Sequence, residues 1–189
     1  MPFLRKVRKY PKRFLKSVNK FIFVIYILQM RFHLIDRIEE ICPGKYITGV
    51  KCITLADDVF NEHFPGYPIF PGSLIMEGMA QLAGSFFEIM MKEKGIEQRQ
   101  SVLVMANRLK FKKPAEPGDR ILFRAEIATM QEEYAVANVS ASIDGELCAT
   151  GELTFSFVLI DDENLRRTRK ELYNICMKKT KWVTDASSV

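Results

Sequence analysis

Histidine and tryptophan are scarce in this chain, with two and one among 189 residues. Two histidines cannot build a multi-imidazole metal centre, so no metal or other cofactor is expected. The four cysteines, Cys42, Cys52, Cys148 and Cys176, are scattered without a C-x-x-C pair. That argues against a zinc site and a disulfide framework and leaves ordinary reduced thiols. Internal repeats and low-complexity segments are lacking too, which excludes a solenoid or array. Acidic residues are missing altogether from residues 1–29, which carry eight basic ones: Arg5, Lys6, Arg8, Lys9, Lys12, Arg13, Lys16 and Lys20. The net charge of +5 therefore belongs to that segment, since the rest holds 20 basic against 23 acidic residues, a net of −3. Nucleic-acid binding by the remainder has no support.

That basic leader ends in an uncharged run of ten residues, Phe21 to Met30. A bilayer-spanning helix needs about 20 residues. A basic start and an apolar end imitate a secretory signal, but no small-residue cleavage site follows. An organelle presequence, a membrane-surface tether and translation from an unused start upstream of Met30 all stay open. The expected location is the cytoplasm, with an organelle or a membrane surface as the alternative if residues 1–29 are genuine. The expected organisation is this leader, a domain over residues 30–160, and a helical extension over 161–189.

What is present is material for one core, with 48% hydrophobic residues. Its centre is the stretch His63-Phe-Pro-Gly-Tyr-Pro-Ile-Phe-Pro-Gly72, a loop stiffened by three prolines and two glycines. From Ser73 to Met91 the sequence is apolar nearly all round, which predicts a buried helix ending near Gly95. One stripe breaks the pattern. Ser73, Glu77, Gln81 and Ser85 recur every four residues and share a face. A carboxylate on a core helix is costly unless something pairs with it, which singles out Glu77.

The run His63-Phe64-Pro65-Gly66-x-Pro68-x-x-Pro71-Gly72-x-Leu74-x-x-Glu77-x-x-Ala80-Gln81 closely resembles the signature of the FabZ-type 3-hydroxyacyl-(acyl carrier protein) dehydratases of fatty-acid synthesis. Leu34-Ile35-Asp36-Arg37-Ile38 with Pro43-Gly44-Lys45, and Phe111-Lys112-Lys113-Pro114 with Pro117-Gly118-Asp119, agree with it. The resemblance spans about Phe32 to Val158. It implies an α+β hot-dog fold, a long antiparallel sheet wrapped around a central buried helix. It further implies a homodimer, in which His and Glu of one site come from different subunits, and trimers of such dimers. The departures, Gly78-Met79 after Glu77 and Ser101–Arg108 before the Phe-Lys-Lys-Pro turn, are expected to reshape the acyl tunnel.

The rest of the chain reads consistently with this. Two short strands flank Pro43-Gly44. From Ser101 to Val158 the period becomes two, placing Leu103, Met105, Leu109 and Phe111, then Ile121, Phe123, Ala125 and Ile127, then Leu147, Ala149, Leu153, Phe155 and Phe157 on core-facing positions. Asp144-Gly145 predicts the last hairpin turn. A C-terminal helix is expected after Asp161-Asp162-Glu163, with Leu165, Leu172 and Cys176 on one face and Lys178, Lys179 and Lys181 at its end.

Dehydrating a β-hydroxyacyl thioester needs a base, an acid and help for the thioester oxygen. His63 fits the base as a neutral imidazole on a stiff loop. Glu77 fits the acid, because apolar surroundings favour the protonated carboxyl. Backbone N–H groups at the helix start, Gly72 above all, would stabilise the oxyanion. Gln81 would orient the carboxyl, or else bond across a dimer. Arg108, Lys110, Lys112 and Lys113 are the candidates for docking an acidic acyl carrier protein, against the plainer reading of a solvated strand face. The reaction expected is (3R)-3-hydroxyacyl-carrier to trans-2-enoyl-carrier. A hydratase on acyl-CoA and a non-catalytic hot-dog subunit of a specialised polyketide or polyene pathway are the alternatives. No Asp-x-x-Gly-His pattern supports a thioesterase.

Overall fold

A helix that is apolar on nearly every side folds only where other elements can cover it. The computed structural model, which describes residues 32–96, 99–159 and 162–184, shows how this one is covered. The leader expected over residues 1–29 lies outside the described residues, as do Asp161 and the side chain of Leu165.

The described residues open with a hairpin, β1 (Arg37–Cys42) and β2 (Tyr46–Cys52), turning at Gly44 with φ +73°. A 3-10 turn, Asp58–Asn61, leads through the proline-rich loop to α1 (Gly72–Glu93). Four long strands follow: β3 (Arg99–Phe111), β4 (Arg120–Met130), β5 (Tyr134–Ile143) and β6 (Glu146–Leu159). Then come α2 (Glu163–Cys176) and a short β7 (Lys181–Trp182). The strands form one seven-stranded sheet in the order β3-β6-β5-β4-β2-β1-β7. Its neighbours are antiparallel except for β1 and β7, which pair in parallel.

α1 touches β2 through β6. It buries Ile75, Met79, Leu82, Phe86, Phe87 and Met90 among Ile47, Ile121, Phe123, Val139, Leu153 and Phe155 of the sheet. Each such side chain contributes about 1.5–3 kcal/mol of transfer free energy. The approach is close at two glycines. A Cβ on Gly78 would stand 2.5 Å from the Phe123 ring, and one on Gly49 would stand 2.8 Å from Leu82. Helix α1 closes as expected near Gly95, whose N–H bonds to Lys92 O (2.9 Å) while Ile96 N–H bonds to Met91 O (2.9 Å). With Gly95 at φ +77°, this is a Schellman cap.

The strand pattern needs correction at three positions. Met105 and Phe111 of β3 are 53% and 51% exposed, and Leu147 of β6 is 46% exposed. β-Bulges account for two of them: the β3–β6 register shifts at Leu103/Met105, so that Met105 pairs with Thr154, and the β5–β6 register shifts at Ala141/Ser142, so that Leu147 pairs with Ser142. A second β3 shift, at Asn107/Lys110, restores the original face, and Phe111 pairs with buried Ala149 and lies against the start of α1, exposed because it ends an edge strand. A bulge inserts one residue and so swaps the faces of everything beyond it. Among the described residues β3 is an edge strand, paired with β6 alone. The Asp144-Gly145 turn is as expected, with φ +52° and +83° for a type I′ hairpin.

The C-terminal segment is tied to the sheet. Cys176 is buried with its Sγ 3.2 Å from Ile35 O, Thr180 Oγ1 donates to Ile38 O (2.7 Å), and β7 pairs with β1. The lysines expected at the end of α2 lie beyond it: Lys178 and Lys179 follow the last turn, and Lys181 is in β7. Among the described residues, no helix is long and apolar enough to cross a membrane.

Candidate active site

The loop before α1 is built to hold a histidine ring. Phe64 and Tyr67 exchange backbone bonds (Phe64 N–H to Tyr67 O 3.2 Å, Tyr67 N–H to Phe64 O 2.9 Å) around Pro65-Gly66. Proline presets the first turn position, and Gly66 takes the second at φ +78°. The loop then runs back past its start, so that Ile69 N–H donates to His63 O (3.2 Å). On the same stretch, His63 Nδ1 lies 2.8 Å from Ile69 O. A carbonyl can only accept, so Nδ1 carries the proton of the neutral ring and Nε2 carries the free lone pair. The half-buried ring stacks on Phe64, with centroids 4.1 Å apart.

The loop ends on Phe70, whose N–H donates to Ala115 O (2.7 Å), and on Pro71 as the helix cap. Pro71 O accepts from Leu74 and Ile75 N–H. Gly72 and Ser73 occupy the first turn, where amides have no intrahelical acceptor. A Cβ on Gly72 would meet the Phe111 ring at 3.1 Å, so only glycine lets that ring cross the helix start without displacement.

Glu77 sits just over one turn into α1 and is half-buried. Gln81 Nε2 donates to Glu77 Oε1 at 2.9 Å, and Gln81 Oε1 accepts Leu34 N–H at 2.9 Å. These two bonds define the amide's orientation: the backbone N–H demands an oxygen, and the carboxylate demands a donor. Gln81 thus hydrogen-bonds Glu77 within its own chain. Among the described residues, no hydrogen bond or ion pair joins His63 to Glu77, and no three His, Cys, Asp or Glu side chains converge as metal ligands.

The four docking candidates differ in their surroundings. Lys113 pairs with Glu146 at 2.9 Å, which holds the lysine above and the carboxylate below their usual pKa values. Arg108, at a bulge with φ +53°, is 3.8 Å from Glu152. Lys110 and Lys112 are exposed. Gly78 and Met79 are buried, and Gly78 stands against the Phe123 ring.

Sequence reasoning missed a polar cluster one turn beyond Ser85. Arg169 Nη2 of α2 bonds both oxygens of Glu88 (2.6 and 2.7 Å), Arg169 Nη1 bonds Gln100 Oε1 (3.1 Å), and Tyr173 O–H donates to Glu88 Oε2 (2.7 Å). Ser101 donates its N–H and O–H to Glu88 Oε1 at 3.1 and 2.9 Å. Burial opposes the Arg169 charge, but Tyr173 and Glu88 beside it hold the guanidinium above its usual value. Burial, and then the Glu88 carboxylate, push the Tyr173 hydroxyl up to about 12. Extending the stripe of Ser73, Glu77, Gln81 and Ser85 by three residues would have reached Glu88. Its partner on α2 had no local signal.

A buried helix packed against a long, mainly antiparallel sheet is the hot-dog arrangement. Solved structures agree on the fold. The dehydratase heterocomplex ApeI:P from Xenorhabdus doucetiae matches with TM-score 0.58 at 15% identity, covering 73% of this chain and 90% of that one. A hot-dog-like protein from Thermanaerovibrio acidaminovorans matches with TM-score 0.53 at 23% identity, covering 69% and 92%. Residues 27–152 match the FabA-like domain, and the chain belongs to that family. Among its relatives is the 3-hydroxyacyl-[acyl-carrier-protein] dehydratase FabZ of Campylobacter curvus, 41% identical over 125 residues, which cover 65% of this chain and 84% of the relative. The FabZ of Listeria monocytogenes is 35% identical over 125 residues, covering 66% and 85%.

Proposed function

We propose that the chain is a 3-hydroxyacyl-[acyl-carrier-protein] dehydratase, a hydro-lyase of acyl-chain synthesis. The observation that carries this reading is the His63 Nδ1 bond to Ile69 O, which leaves Nε2 as the basic nitrogen. His63 Nε2 takes the proton from the α-carbon, and the electron pair of that C–H bond becomes the new C=C bond. The C–O bond at the β-carbon breaks, and Glu77, held by Gln81, gives the departing hydroxyl its proton, so that it leaves as water. The Gly72 N–H, at the positive end of α1, stabilises charge on the thioester oxygen.

His63 and Glu77 make no bond to each other within one chain, and the reading assigns each site to two subunits. The second copy joins along the edge strand β3, where Val102, Val104 and Met105 are 41%, 57% and 53% exposed. An unpaired edge with apolar side chains is a template for another strand. The carrier protein approaches Lys110 and Lys112, with Arg108 and Lys113 already shared with Glu152 and Glu146.

Glu77→Gln tests the reaction. The amide keeps shape and hydrogen bonding but has no acid proton, so turnover of a 3-hydroxyacyl thioester should fall by roughly 10²–10⁴ while substrate still binds. Near-wild-type turnover would return Glu77 to a structural role.

A further inference from the structure

The FabA-like match ends at residue 152, before α2 begins at Glu163, yet the C-terminal segment reaches back to the stretch that precedes β1. Leu34 donates its N–H to Gln81 Oε1 (2.9 Å), and the same side-chain amide donates to Glu77 Oε1 (2.9 Å). The residues on either side of Leu34 meet one sulfur of the C-terminal segment. His33 Nε2 lies 3.1 Å from Cys176 Sγ, and Cys176 Sγ lies 3.2 Å from Ile35 O. We propose that Cys176 is a positioning residue, which fixes the backbone at Leu34 and so sets, through Gln81, where the Glu77 carboxyl points. The proposal rests on the dehydratase reading, in which Glu77 is the acid.

The donors and acceptors around the sulfur fit without conflict. A carbonyl only accepts, so the Cys176 thiol donates to Ile35 O, and the sulfur accepts from His33 Nε2–H. Burial holds the thiol above its usual pKa, which keeps that proton in place at neutral pH. Leu34, Ile35 and Cys176 are all buried, so water competes poorly for these groups.

Leu34 needs such a hold. It stands before β1, which starts at Arg37, and the sheet takes hold of the chain at Asp36, whose N–H donates to Val50 O (2.8 Å). Cys176 can supply the hold because it is anchored on both sides. Before it, Arg169 and Tyr173 bond the Glu88 carboxylate of α1. After it, Thr180 Oγ1 donates to Ile38 O (2.7 Å), Val183 N–H donates to Ile41 O (2.9 Å), and β7 pairs with β1. The C-terminal segment thereby ties the donor at Leu34 to the same helix that carries Gln81 and Glu77. A carboxyl whose support shifts spends time in unproductive rotamers, which lowers the rate without weakening binding.

The test uses variants of the full chain, steady-state turnover of a 3-hydroxyacyl-pantetheine thioester, and the NMR signal of the Gln81 side-chain amide, assigned by its loss in Gln81→Met. Cys176→Ala should lower kcat about 3- to 10-fold with KM nearly unchanged, and should shift the Gln81 signal. Cys176→Ser keeps a donor for Ile35 O and an acceptor for His33, and should bring kcat back to within about twofold and return the signal. In the Gln81→Met background, where the link to Leu34 is already gone, Cys176→Ala should change kcat by less than about twofold. His33→Phe keeps a ring but removes the Nε2 donor, and should move the Gln81 signal as Cys176→Ala does, which keeps the test intact if the alanine variant fails to fold. An unmoved Gln81 signal in the folded variants overturns the proposal. So does a kcat loss that persists in the Gln81→Met background or is as large in Cys176→Ser. If the wild-type chain turns over no 3-hydroxyacyl thioester while the Gln81 signal shifts as described, the dehydratase reading fails and the hold on Gln81 stands.

Discussion

Replacing Gln81 with methionine separates positioning from packing. The substitution keeps an unbranched side chain of similar reach but removes the amide's hydrogen bonds to Leu34 and Glu77. Leu34 is 8% exposed, so its N–H would be left in a poorly hydrated place without its acceptor. An unsatisfied buried donor costs about 1–3 kcal/mol. Glu77 is half-buried, and water can replace the lost donor, so the stability effect on that side is small. The expected total is about 2 kcal/mol in urea unfolding, or a Tm lower by roughly 4–8 °C for a chain of this size. The kinetic effect has a different origin. A carboxyl no longer held by Gln81 samples several rotamers, and kcat should fall about tenfold, equivalent to about 1.4 kcal/mol, with KM nearly unchanged. Steady-state dehydration followed at the enoyl absorbance, beside equilibrium unfolding, reads both. A stability loss with unchanged kcat would mean that Gln81 serves only to pin Leu34. No change in either would refute the hydrogen-bonded chain from Leu34 to Glu77.

Tyr173 predicts a distinct alkaline behaviour. Its pKa is raised from 10.0 to about 12 in the folded chain, so the folded state binds the phenol proton more tightly than the unfolded state. The resulting stability is fully present below pH 10 and is lost as pH rises through about 12. Tyr173→Phe should flatten that part of the stability–pH curve, and equal slopes for the two proteins would show that the hydroxyl is not held as described. The proposal of a site shared between subunits predicts that His63→Ala and Glu77→Gln proteins are each severely impaired, while mixed dimers regain about one active site in two. No recovery after verified subunit exchange would place both residues of a site on one chain.

The sequence by itself determined the local chemistry and the order of elements. Pro65-Gly66 and Pro71-Gly72 dictate a stiff loop and a helix start, because their backbone preferences need no distant partner. The all-round apolar run after Ser73 dictates a buried α1, and Asp144-Gly145 dictates a type I′ turn. The i, i+4 spacing of Glu77 and Gln81 made their hydrogen bond legible too. Tertiary structure decided what depends on residues far apart in the chain. Bulges in β3 and at the start of β6 turned Met105 and Leu147 outward, and nothing in an alternating pattern marks where one extra residue will be accommodated. Likewise, Arg169 reaches Glu88 across 81 residues and Cys176 reaches Ile35 across 141. Such pairings follow from how α2 seats against the hairpin and α1, and neither partner carries a local signal of the other.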